Sequence, residues 1–380
     1  MKPIVVLGSG LAGYTLVREL RKLNRDIPIV LVSRDSGDYY SKPTLSNAFA
    51  QKKEAASLVL TAAKDMAEQQ KFTLFANTEV RAIHREAKQL DTTAGTIAYE
   101  ELVLAIGADP IRIPLQGDAA DNILSVNDFS DYAHLRDELG NAKTVAIMGG
   151  GLIGCEFAND LALAGYKVSV IDPGPYPIAG LLPEKAGMQL LEPLKNLGVT
   201  WHFGKAAERI DAMGQSFQLT LTDQTKLSAD IVLSAVGLRP RIALAKNAGL
   251  SVNRGIAVDE RLQSSDAAIF ALGDCAEING QTLPYVLPIM HAARALAKVL
   301  NGEDASVIFP YMPVVVKTPA HPIAVLPVSR DASGSWKVLE NGQGIRMGFF
   351  NPQDEMIGFA LTGEYAKERS EMTARCAAKT

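Results

Sequence analysis

The chain has 380 residues, of which 47% are hydrophobic and 21% charged, and its formal net charge is −4. This length and balance predict a folded protein of two or three domains with sizeable cores. The small negative charge gives no global electrostatic case for nucleic acid or an anionic membrane. No uninterrupted apolar run reaches the length of a membrane span. The first strand is expected near residue 3, with no room for a signal peptide, so the expected location is the cytoplasm.

In chain order, Ile4–Leu7 reads as a buried strand, Leu11–Leu23 as a helix with Leu16, Leu20 and Leu23 at helical spacing, and Ile29–Val32 as a second strand. Between the first two lies Gly8-Ser9-Gly10-Leu11-Ala12-Gly13. A loop with Tyr39, Tyr40, Ser41, Lys42 and Pro43 follows, then a helical stretch over 54–70 and several short strands over 72–106. Prolines in 109–118 mark a crossing to a new domain. A second strand–turn–helix begins near Thr144, with Val145–Met148 leading into Gly149-Gly150-Gly151-Leu152-Ile153-Gly154, and its next strand runs from Lys167 to Ile171 and ends at Asp172. Apolar strands closing in glycine recur at 102–107 and 231–237, so the second unit reads as inserted into the first. Ala268–Leu272 is a strand leading into Gly273-Asp274, Pro288–Leu300 a helix, and 312 onward a small module with strands at 314–316, 345–350 and 356–361.

Each glycine turn lets the backbone take positive φ and approach a pyrophosphate at a helix N-terminus. Two such turns in the required context predict two dinucleotides on one chain and electron transfer between them. Asp172, at the end of the second strand of its unit, is expected to bind ribose hydroxyls. No arginine follows it in 173–175, so the site is expected to favour NADH over NADPH. The first unit departs from this pattern: Ser33 stands at the equivalent position, with Asp35 two residues on.

Several other positions admit two readings. Glu156 either compensates the helix dipole or lies near a reacting ring. Lys42 and Lys317 are either surface cations or groups placed to stabilise negative charge gained on reduction. Asp274 could accept hydrogen bonds from a polyol chain, and His291 reads as structural. Cys155, Cys275 and Cys376 show no paired spacing, so neither a zinc site nor a redox disulfide is written locally. No other cluster suggests a metal, and no nucleophile triad suggests hydrolysis.

The segments 40–46, 154–160, 234–240, 271–277 and 316–319, together with the interleaved folds, resemble the two-dinucleotide flavoprotein reductases. These are the FAD-dependent pyridine nucleotide-disulfide oxidoreductases, and within them the rubredoxin–NAD⁺ reductases are the best match. The resemblance implies an α/β fold of two Rossmann-like, doubly wound nucleotide domains: residues 1–110 and 241–311 for FAD, 111–240 for NAD, and a small α+β C-terminal domain at 312–380. It implies that FAD lies on Gly8, Ser9, Gly10, Leu11, Ala12 and Gly13, with its adenosine end near Ser33, Arg34 and Val80. Lys42 and Glu156 would flank the isoalloxazine, Asp274 would hold the ribityl chain, and Val286 and Lys317 would complete the surround. NADH would contact Gly149, Gly151, Leu152, Ile153, Gly154, Asp172 and Gly237. Lys42, Glu156 and Lys317 would be the catalytic residues.

The implied reaction passes electrons from NADH through flavin to a one-electron acceptor, since the chain has no cysteine pair to relay two electrons as a dithiol. The family implies rubredoxin. Ferredoxin reductase, flavorubredoxin reductase, monodehydroascorbate reductase and a redox-dependent signalling flavoprotein are the alternative readings. A monomer is expected.

Overall fold

The first glycine turn follows the central strand of a five-stranded parallel sheet. The structure, a computed structural model, describes residues 2–329 and 331–377. It divides into two units, Met1–Lys42 with Ala56–Asp109 and Leu238–Pro310, and Pro43–Ala55 with Pro110–Gly237 and Tyr311–Thr380.

In the first unit the strand order is Ile269–Ala271, Glu101–Leu104, Ile4–Leu7, Ile29–Val32, Thr73–Phe75. Every neighbouring pair is parallel. Strands covered on both faces need continuous apolar side chains rather than alternation, and all four residues of Ile4–Leu7 are buried. The helix Leu11–Leu23 buries Leu16, Val17 and Leu20, whereas Leu23, at the frayed end of that stripe, is 43% exposed.

The second unit repeats the design: Leu124–Ser125, Ile231–Ser234, Thr144–Met148, Lys167–Asp172, Val199–Phe203, again all parallel. Its second glycine turn also leaves the central strand. Residues from Tyr311 build a five-stranded antiparallel sheet in the order Val314–Val316, Ile323–Leu326, Met356–Thr362, Ile345–Phe350, Ser335–Asn341. The helix Arg369–Ala377 follows, its Met372 and Cys376 packed in one apolar cluster with Phe359 and Leu361 of the sheet.

Several stretches differ from the sequence expectation. The loop at 39–43 holds the strand Tyr39–Tyr40 and the start of the 3-10 helix Lys42–Asn47, the C-terminal module adds the strands Ile323–Leu326 and Ser335–Asn341, and the helix over 54–70 is broken. The stretch 54–70 is not one helix: a 3-10 turn at Ala55–Leu58 leads into the strand Val59–Thr61, and only Ala63–Gln70 is α-helical. The β-branched Val59 and Thr61 pair with Tyr40 and Tyr39, and β-branched and aromatic side chains fit a pleated ladder better than a helix.

Each turn is shaped by glycines under different demands. Gly8 has φ +118°, and a Cβ on it would fall 2.2 Å from the Ala105 carbonyl oxygen. A Cβ on Gly13 would fall 1.9 Å from the Gly8 carbonyl oxygen, but one on Gly10 would meet nothing within 4 Å. Gly13→Ala is therefore expected to cost the apoprotein about 1–3 kcal/mol through overpacking. Gly10→Ala should leave unfolding of the apoprotein nearly unchanged. Thermal unfolding of both variants without added nucleotide checks the contrast, and equal losses would contradict it.

Candidate functional site

The helix that starts at Leu11 has Gly10 as its N-cap, makes no side-chain capping bond and carries no acid in its first turn. Its leading N–H groups therefore keep their demand for an acceptor, over a residue with bare space where a side chain would be. That is the geometry of an anion cradle, and it fits a pyrophosphate. At the strand end beside it, Ser33 donates to the Asp35 carboxylate at 2.5 Å, and the Ser9 and Ser33 hydroxyls lie 2.6 Å apart. Asp35 also accepts from Ser9 at 3.2 Å and from the Gly37 amide at 2.9 Å. The acid missing from position 33 is thus supplied from position 35, which remains exposed. The amides of Asn77 and Thr78 donate to the carbonyls of Asp35 and Ser33, both at 2.8 Å, and so tie the segment leading into the strand Val80–His84 to Ser33 and the exposed Arg34.

Asp274 follows Gly273, whose φ is +80° and where a Cβ would fall 2.8 Å from that of Ala12. This close approach sets Asp274 beside the first cradle. The Lys42 ammonium is 3.6 Å from the Asp274 carboxylate. Val286, the first residue of the helix Val286–Leu300, is 41% exposed.

The second cradle repeats the first. Gly149 has φ +105° and sits against the Ala235 carbonyl, a Cβ on Gly154 would fall 1.9 Å from the Gly149 oxygen, and the position over Gly151 is open. The helix Leu152–Leu163 likewise lacks a side-chain cap. Here Asp172 accepts from the Gly150 amide and, at 2.6 Å, from the Gly174 amide, holding the turn while its carboxylate lies at the strand end. Ile153 is 42% exposed at the rim. Gly237, with φ +113°, accepts from the Ile111 amide at 3.0 Å and closes the neighbouring strand end.

The same helix carries two buried carboxylates, Glu156 and Asp160. Glu156 is only 1% exposed and lies in its second turn; the first turn holds no acid, so compensation of an exposed helix dipole is not its role. It accepts from the Ser46 hydroxyl at 2.5 Å, from the Lys317 amide at 2.8 Å and from the Lys317 ammonium. That ammonium also donates to Ser46 at 2.9 Å. A buried carboxylate is tolerable only when paired in this way. One turn on, Asp160 accepts from the amides of Phe49 and Ala50, and Asn159 from the amide of Ala320. Burial pushes the Asp160 carboxyl above its usual range, opposed by those amides and by Lys317. Ser46, Asn159 and Asp160 are not singled out by sequence reasoning. The signal for Asn159 and Asp160 is their place three and four residues after Glu156 on an otherwise apolar helix, whereas Ser46 carries no local signal.

The three cysteines are buried and unpaired. Cys155 donates to the Gly150 carbonyl at 3.3 Å and Cys275 to the Leu104 carbonyl at 3.3 Å. Burial pushes the Cys275 thiol up to about 11 and Cys155 higher still, so both stay protonated and unreactive. Among the described residues no group of His, Cys, Asp and Glu could hold a metal ion, and no helix is long and apolar enough to cross a membrane.

Two cradles of one design, each at the end of a central parallel strand, define a protein that holds two dinucleotides. The model of the pyridine nucleotide-disulphide oxidoreductases matches residues 2–298, and the chain belongs to that family. Residues 306–376 match the rubredoxin binding C-terminal domain. The chain is 45% identical over 374 residues to a rubredoxin-NAD(+) reductase of Alcanivorax borkumensis, with 98% of each chain covered. It is 44% identical over 382 residues to that of Acinetobacter baylyi, covering 98% of this chain and 97% of the relative. A ferredoxin reductase structure from Rhodopseudomonas palustris superposes with a TM-score of 0.88 at 25% identity, over 97% of this chain and 93% of that one.

The turn that carries Lys317 also holds a buried imidazole. His321 is 7% exposed, its amide donates to the Thr318 carbonyl at 2.8 Å, and among the described residues its Nε2 has no hydrogen-bond partner. Burial holds its pKa below 6.5. As pH falls below 6.5 the unfolded chain takes up a proton there that the folded chain refuses, so the stability tied to neutral His321 is complete above that pH and is lost below it. The urea midpoint is expected to drop between about pH 7.5 and 5.5, and His321→Gln to remove part of that drop. An identical pH dependence in the variant would contradict this.

Proposed function

We propose that this protein is an FAD-dependent reductase that takes electrons from NADH and delivers them singly to rubredoxin. The observation that carries the reading is the state of the cysteines: three buried, unpaired thiols leave a reduced flavin no disulfide partner within the chain. The match of residues 306–376 to a rubredoxin-binding domain supports the acceptor. Unpaired thiols also fit a reducing compartment, and with no cysteine pair for a second subunit to complete, we take the protein to be a cytoplasmic monomer.

We assign FAD to the 8–13 turn, with Ser33, Arg34 and Val80 at the adenosine end and Asp35 beside them, Asp274 along the ribityl chain, Lys42 beside the isoalloxazine, and Val286 nearby. We assign NADH to Gly149, Gly151, Leu152, Ile153, Gly154, Asp172 and Gly237. When bound, the flavin supplies the conversion from two-electron hydride chemistry to one-electron transfer. The chain's part is to hold each pyrophosphate on helix amides, to anchor the nicotinamide nucleotide's ribose at Asp172, and to present fixed charge. Lys42 and Lys317 are the cations suited to offset negative charge gained on reduction, with Glu156 fixing the Lys317 ammonium in place. The three-domain division at 110, 240 and 311 belongs to the same reading.

Acceptor profiling tests it. The NADH-reduced protein, mixed anaerobically with each acceptor in turn, should be reoxidised by rubredoxin about tenfold or more faster than by ferredoxin, flavorubredoxin or monodehydroascorbate, as differential recognition of one partner requires. An equal or higher rate with another acceptor would overturn the assignment. Slow reduction by NADH with a persistent charge-transfer band would favour a signalling flavoprotein.

A further inference from the structure

We propose that Asp160 is a positioning residue for the reaction, which sets the Glu156–Lys317 pair by locking the segment that carries Ser46. Glu156, Asn159 and Asp160 share one buried face of the helix Leu152–Leu163, and each is 2% exposed or less. From this face the helix holds two separate stretches of chain. Asp160 takes the Phe49 amide at 2.8 Å on one oxygen and the Ala50 amide at 3.0 Å on the other, so it grips residues 49 and 50 with both. Asn159 takes the Ala320 amide at 3.1 Å, and Glu156 takes the Lys317 amide at 2.8 Å.

The two stretches meet at Ser46. Its hydroxyl donates to Glu156 at 2.5 Å and receives the Lys317 ammonium at 2.9 Å. A hydroxyl can do both at once, so Ser46 is the piece that closes the network. Ser46 sits in the 3-10 helix Lys42–Asn47, immediately before the gripped amides. Anchoring residues 49 and 50 therefore fixes where Ser46 lies along the helix face.

A buried carboxylate is costly to desolvate, and it is tolerated here because two backbone amides pair with it; an apolar side chain in its place would leave those amides without an acceptor. What the carboxylate adds is register: two acceptor oxygens of fixed spacing match two successive amides in one alignment only. Lys317, at 28% side-chain exposure, is the solvent-facing end of the network. With two of its three N–H donors engaged inward, one is left to act outward.

The test is a double-mutant cycle on the purified holoenzyme, read first by acetylation of Lys317 with an amine-reactive ester and peptide mass spectrometry. Asp160→Asn keeps the volume but turns an NH₂ toward one of the two amides. Lys317 should label about fivefold faster in this variant, the factor expected for the loss of one buried hydrogen bond, and similarly in Ser46→Ala. The double variant should label no faster than the faster single, because both changes act through the same hydroxyl. A merely structural Asp160 would lower the melting temperature and leave Lys317 labelling as in the parent, and that result, or multiplying effects in the double variant, would overturn the proposal. Should Asp160→Asn fail to fold, Asp160→Ser, which keeps one acceptor, is expected to give the same pattern, and unchanged labelling there counts against it. In the second readout, Asp160→Asn should slow anaerobic reduction by NADH about fivefold with little change in KM, and a change in KM alone would contradict the role. This second readout rests on the proposed function, whereas labelling uses neither NADH nor acceptor, so failure of either reading can be told from failure of the other.

Discussion

A single steric fact underlies both nucleotide sites. The carbonyl of the first glycine in each turn occupies the space a side chain on the last glycine would need, 1.9 Å from where its Cβ would fall. Only when both residues are glycine can the helix start this close to the strand end. That approach leaves the helix without a side-chain cap and its first N–H groups facing open space at the middle glycine. An unsatisfied helix start is a liability in an ordinary protein. We take it here as the binding element, repeated with the same order of four strands around it, while the fifth, at one edge, comes last in one sheet (Ile269–Ala271) and first in the other (Leu124–Ser125) along the chain.

The second of these helices has a further role along its length. Its start forms a cradle, and its buried face carries Glu156, Asn159 and Asp160, which between them hold residues 46–50 and 317–320. Rigidity at one end and charge placement further along come from one element, so a shift of this helix would disturb both. Charged groups held on secondary structure rather than on free loops lose less precision to motion, and a fixed ammonium needs no reorganisation when charge develops nearby.

The cradles are legible in sequence because glycines at this spacing, after an apolar strand and before a helix, have few other physical explanations. Parallel strands such as Ile4–Leu7 and Thr144–Met148 are legible for a related reason: burial on both faces erases alternation and leaves an apolar run. Long-range pairings are not legible. Nothing local in the sequence marks Ser46 as the partner of a glutamate 110 positions away, and a polar residue on a buried helix face looks like one on an exposed face until the neighbouring segments are placed. Ser33 illustrates a middle case. A serine at an expected acid position reads as a departure, yet its hydroxyl brings the carboxylate of Asp35 back to the strand end. The strand Val59–Thr61 is hidden by its helix-favouring flanks and is revealed only by its pairing with Tyr39 and Tyr40.

We propose that the earlier cradle holds a flavin and the later one its nicotinamide reductant. Stoichiometric reductive titration of the purified protein, after incubation with FAD and removal of the excess, tests it most directly. One tightly held FAD per chain is expected, bleached completely by one equivalent of NADH under anaerobic conditions. A protein that stays colourless after reconstitution, or a bound flavin that NADH cannot reduce, would contradict it.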